Sequence, residues 1–131
     1  MEFLNVLVAA IGAFALGSVW YMVLSEQWIA ASGVRCGPDG KPEGGMKPSI
    51  FAMSFALQLV VAGMMRHTFA LSGIDGIGKG LVAGLGVGLF FITPWIGINN
   101  LYSMRPAKLT LIDGGYATLA CGIMGLILTL F

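Results

Sequence analysis

Residues 73–100 read GIDGIGKGLVAGLGVGLFFITPWIGINN, and the fold depends on how this stretch is taken. Its first eight residues have the spacing of a phosphate-binding loop, G-x-x-x-x-G-K-[ST], with Gly73, Gly78 and Lys79 in place. Gly80 stands where the magnesium-binding hydroxyl belongs. A phosphate loop also needs a strand before it and a soluble helix after it, whereas apolar runs lie on both sides here. No nucleotide is therefore expected at 73–80. Gly73 reads as a turn and Lys79 as a membrane boundary. Gly76, Gly80, Gly84 and Gly88 recur every four residues and form one stripe on a helix. Small residues so placed let membrane helices approach closely, either within one bundle or between copies of the chain.

Composition supports a membrane reading. Of 131 residues 57% are hydrophobic and 10% charged, with a mean hydropathy of +0.89. Soluble domains carry about 25% charged residues, and a soluble chain this short could not bury so much apolar surface. A helix needs roughly 20 apolar residues to cross about 30 Å of hydrocarbon. Four such segments occur, at roughly 3–24, 49–70, 79–100 and 109–131. Barrel strands would be about half as long and would alternate in polarity. The expected fold is all-α and integral to the membrane, an antiparallel four-transmembrane-helix bundle forming one domain over 1–131. A Gly/Pro-rich loop spans 32–48.

The N-terminal run is not expected to be a signal peptide, since it lacks a basic start, carries Glu2 and is too long. Lys and Arg in short loops set orientation. Arg35, Lys41, Lys47, Arg105 and Lys108 fall in loops one and three, against Arg66 and Lys79 on the other side. Loops one and three are thus expected in the cytoplasm and both termini outside, in the plasma or inner membrane if the source is bacterial. Cys36 and Cys121 lie in a loop and a span, away from any His/Cys cluster, so neither a disulfide nor a metal site is expected. A net charge of +1 gives no reason to expect nucleic acid.

Polar and aromatic residues concentrate at one end of the predicted bundle. Trp20, Tyr21, Glu26, Gln27 and Trp28 close the first span; Asn99, Asn100, Tyr102 and Arg105 close the third; Asp113 and Tyr116 open the fourth. Ionisable residues near a membrane core are functional candidates, and Arg105 has Asp113 or Glu26 as partners for an ion pair. The alternative is structural: Trp and Tyr gather at interfaces as belts, and Thr110 with Asp113 has capping-box spacing. Pro94 should kink the third span, with Thr93 helping to satisfy the freed groups. Gln58 is placed for an interhelical hydrogen bond, and His67 for the opposite interface. Pro48 suits the first turn of the second span, and Gly44-Gly45 adds flexibility to loop one. That loop reads as a solvated linker or as a contact surface. Weaker small-residue stripes, Ala9/Ala13/Gly17 and Ala117/Cys121/Gly125, occur in the first and fourth spans.

Two stretches resemble a known family. GSVWYMVLSEQWIAASG (17–33) is similar to its Gly-x-x-Trp-Tyr element followed by a second Trp. NNLYSMRPAKLTLIDGGYATLACGIMGLIL (99–128) is similar to its closing region: an Asn, an Arg, then Ile-x-x-Gly-Tyr. The family is the small bacterial and fungal membrane family catalogued as domain of unknown function 1761. The matching positions are Gly17, Trp20, Tyr21, Trp28, Asn100, Arg105, Gly115 and Tyr116. The resemblance implies four spans and a membrane location, and no reaction.

Three function classes follow. The favoured one is a structural or interaction protein, as a homo-oligomer or as an accessory subunit of a larger membrane complex, with the lipid bilayer around it. The alternative is a small-solute transporter or channel acting as an oligomer, with its polar site at the cytoplasmic end. An enzyme ranks last: there is no nucleophile beside a base, and no cofactor is expected.

Overall fold

A computed structural model describes residues 2–44 and 47–130. Gly45, and the ends of the chain at Met1 and Phe131, lie outside the described residues. Helix α1 (Glu2–Val23) is followed by a short α2 (Ser25–Ser32), then α3 (Pro48–Ser72), α4 (Ile77–Val87), α5 (Thr93–Tyr102) and α6 (Ala107–Leu128). A π-turn, Gly88–Ile92, joins α4 to α5. Four helices are long and apolar enough to cross a membrane: Phe3–Val23, Pro48–Ser72, Ile77–Tyr102 and Ala107–Leu128. Their lengths of 21 to 26 residues suit the hydrocarbon thickness, and the protein is an all-α integral membrane bundle.

The last span is the hub. In its most apolar window 44% of residues are buried, against 11–17% in the other three. Helix α6 touches α1, α2, α3, α4 and α5, whereas α3 packs chiefly on α1. The contact of α4 with α6 is backbone against backbone. A Cβ on Gly80 would collide with the Gly125 carbonyl, one on Gly84 with the Cys121 carbonyl, and one on Gly88 with Thr118 and the Ala117 carbonyl. The three rungs step by four residues in opposite directions along the two chains, which fixes an antiparallel register. Gly76 stands apart from this seam. It is the N-cap of α4 at φ 89°, with no atom within 4 Å of an added Cβ, because the helix starts only at Ile77. Ala9 and Ala13 of α1 are fully buried beside Met65, Met124 and Leu128.

Local chemistry sets the element boundaries. Pro48 occupies the first turn of α3, where no backbone donor is lost. Gly33 and Gly73 take left-handed conformations (φ 71° and 67°) that close α2 and α3. Pro106 precedes the first residue of α6. Thr110 and Asp113 therefore sit inside that helix and do not form its capping box: the proline sets the start one turn earlier. The break at Pro94 takes the form of the π-turn, and the Thr93 hydroxyl bonds the Gly88 carbonyl at 2.7 Å. Loop one carries a small hairpin, with an antiparallel bridge between Cys36 and Pro42 and a Glu43 N–H to Arg35 carbonyl bond of 2.8 Å. The Asp39 carboxylate accepts the Lys41 N–H at 3.0 Å inside its turn.

Candidate functional site

Gly17, Trp20 and Tyr21 are spaced by three and four residues and share one face of α1. Ile112, Asp113, Gly115 and Tyr116 stand opposite, in the first half of α6, and the two sets interlock. An added Cβ on Gly17 would stand 2.7 Å from the Tyr116 hydroxyl, and one on Gly115 would stand 3.0 Å from the Trp20 ring. Each glycine is thus a notch for an aromatic side chain of the other helix. The Trp20 indole N–H donates to the Ile112 carbonyl at 3.0 Å. The Tyr21 hydroxyl donates to Asp113 Oδ1 at 2.6 Å, a length typical of a charge-assisted bond.

Tyr116 joins three helices. Its hydroxyl donates to the Ala13 carbonyl at 2.7 Å and accepts from Gln58 Nε2 of α3 at 2.8 Å. Its ring meets that of Tyr21 edge-on, centroids 5.4 Å apart, and Tyr21 meets Trp28 of α2 in the same way at 6.1 Å. The Trp28 side chain also approaches the Asp113 carboxylate. On the far side of α6 the Thr93 hydroxyl lies 3.1 Å from the Gly114 carbonyl, and Asn100 donates to Thr110 Oγ1 at 2.9 Å. Three of the other five helices, α1, α3 and α5, thus bond to α6 between residues 110 and 116, with Trp28 of α2 close by. The result is a polar collar around one helix.

The structure brings together Trp20, Tyr21, Trp28, Asp113 and Tyr116, and ties Asn100 to the same helix. Glu26, Asn99, Tyr102 and Arg105 are exposed at the same end and lie outside the collar. The expected ion pair of Arg105 with Asp113 or Glu26 is not formed. Among the described residues the ion pair within 4.0 Å is Lys79–Asp75, at 3.9 Å on the opposite side. Arg105 follows Met104, whose φ of 58° turns the chain, and its guanidinium is left in the exposed loop. Thr93 and Thr110 were not read as site residues, because a threonine in an apolar span gives no signal until its partner helix is placed. His67 and Cys36 are exposed, and Cys121 is buried at the α4 seam. Among the described residues no three His, Cys, Asp or Glu gather at metal-binding distance. One cleft, of about 490 Å³, opens in loop one beside Asp39, Lys41 and Glu43; another, of about 140 Å³, lies between Phe69, Ile74 and Leu128. Neither reaches the collar.

A family model described as "Protein of unknown function (DUF1761)" matches residues 4–129. No curated protein and no solved structure matches the chain.

Proposed function

The chain belongs to the DUF1761 family, which brings no reaction with it, and we propose that the protein works by association, as a homo-oligomer or as an accessory subunit of a larger membrane complex. The observation that carries this reading is the collar. Its polar side chains bond one another and backbone carbonyls across helices, so their chemistry goes into holding the bundle together. Three glycines of the α4 stripe are likewise used on α6, so self-association would draw on another face. The outer side of α3 offers one: Met53, Leu57, Val60 and Met64 are exposed along it. Loop one adds a folded polar hairpin at the membrane surface. The basic residues of loops one and three support a cytoplasmic position for both. Native mass analysis of the protein extracted in mild detergent tests the reading. It predicts a defined oligomer or a co-purifying subunit; a bare monomer counts against it.

Transport or conduction by an oligomer is the second reading, favoured by one observation. Gln58 Oε1 is buried without a hydrogen-bond partner, beside the Tyr116 hydroxyl and mid-span. Polar atoms of this kind mark solute paths in membrane proteins. Cysteine accessibility scanning along α1 and along 77–102 decides it: a water-accessible stripe supports a path, and uniform protection removes it.

A further inference from the structure

The third span meets α6 in two different ways on either side of the π-turn. Before the turn, an added Cβ at Gly80, Gly84 or Gly88 would strike α6 backbone, so that half cannot rotate without collision. After it, α6 is faced by Thr93, whose side chain fills the notch at Gly114, by Gly97 and by Asn100. Here the fit is looser. An added Cβ at Gly97 would stand 3.4 Å from the Thr110 methyl carbon, an ordinary contact.

A π-turn carries one residue more than an α-turn. When it relaxes, the helix beyond it turns by about 100°, the angle per residue, and each place facing α6 passes to the preceding residue. The residues that would take these places suit them. Ile92 repeats the β-branch of Thr93, Ile96 enters where Gly97 leaves room, and Asn99, now exposed, replaces Asn100 as the donor to Thr110. From this geometry we infer that α5 is a two-position rotor: Asn100 and Asn99 alternate as the partner of Thr110 while the α4 half stays clamped.

Neither position strands the Gly88 carbonyl. It takes the Thr93 N–H and hydroxyl in the π-turn, and an α-turn gives it the Ile92 N–H. Pro94 works against a straight helix, because its ring would meet the Phe90 carbonyl. A wider turn and a bend are two ways out of that collision, and the rotor alternates between them. Rotation turns Trp95, 65% exposed, from lipid toward α6 and carries loop three with it. Both positions lie within one chain, so the rotor is independent of either functional reading.

The test uses the full chain in nanodiscs, with Cys36→Ser and with Thr110→Cys paired in turn with Asn100→Cys, Asn99→Cys and Leu101→Cys. A short bis-methanethiosulfonate reagent joins cysteines that meet. Residues 99 and 101 flank 100 equally, so simple looseness of α5 joins both to 110 alike. Rotation is expected to join 99 and 100 and to leave 101 behind. Thr93→Val loses the hydroxyl that reaches the Gly88 and Gly114 carbonyls. It should raise the ratio of 99 to 100 product about threefold, the worth of one hydrogen bond between membrane helices. Pro94→Ala removes the obstacle to a straight helix and should raise the ratio further. A tryptophan-fluorescence unfolding transition shows which variants are folded. A yield at 99 no greater than at 101, or a ratio that neither substitution moves in folded protein, overturns the proposal.

Discussion

Substituting Gly84 by alanine is the sharpest probe of the α4–α6 seam. The new methyl would point into the Cys121 carbonyl and stand 3.1 Å from the Gly122 Cα. Both obstacles are backbone, so no side chain can rotate aside. To restore ordinary contact α4 must retreat by about 1 Å, and a gap of that size forfeits roughly a quarter to a half of each dispersion contact along the seam. Overpacking of this kind costs about 1–3 kcal/mol. Replacing glycine within a helix returns about 1 kcal/mol, which leaves a net loss of roughly 0–2 kcal/mol. Gly86 lies two residues on in the same helix, and an added Cβ there meets nothing within 4 Å. The same substitution at Gly86 carries only the helix gain and should be neutral or mildly stabilising. Equilibrium unfolding in mixed micelles, followed by tryptophan fluorescence, compares the two. Equal stability of both variants, or a larger loss at Gly86, would refute the seam.

Gly17→Ala should destabilise by about 1–2 kcal/mol through collision with the Tyr116 hydroxyl, and adding Tyr116→Phe should recover part of that loss because the offending oxygen is gone. Strictly additive losses in the same unfolding assay would show that the two residues do not touch. Cys36, exposed in loop one, should react with a membrane-impermeant maleimide only once the inner face is accessible, while Cys121 stays unlabelled in the folded protein. Labelling of Cys36 in intact cells would reverse the proposed orientation.

The spans were legible because hydropathy over 20 residues integrates many weak signals. The expected segments 3–24 and 79–100 fall within about two residues of Phe3–Val23 and Ile77–Tyr102. Helix α2 was not legible: SEQWIAAS is too short and too mixed to show a period, and it is held by Trp28 packing against Tyr21. At the collar, the sequence showed which end of the bundle was polar, yet it could not say which side chains turn inward. That depends on helix rotation, and α1 is rotated so that Trp20 and Tyr21 face α6 while Glu26 lies beyond the helix end. Arg105 looked like a partner for Asp113 by charge alone; the Met104 turn places it in the loop instead. The glycine stripe was visible at three of its four positions, and Gly76 misled because periodicity does not mark where a helix begins.

The account rests on side chains that tie the spans to α6, and the Gln58–Tyr116 bond, 2.8 Å long between α3 and α6, is its most direct point of attack. A double-mutant cycle with Gln58→Leu, Tyr116→Phe and the pair, read by equilibrium unfolding in mixed micelles, measures it. The predicted coupling is about 0.6–1.7 kcal/mol, the range for hydrogen bonds between membrane helices. A coupling of zero, with each single variant as stable as the parent, would contradict the collar as the element that holds the bundle together.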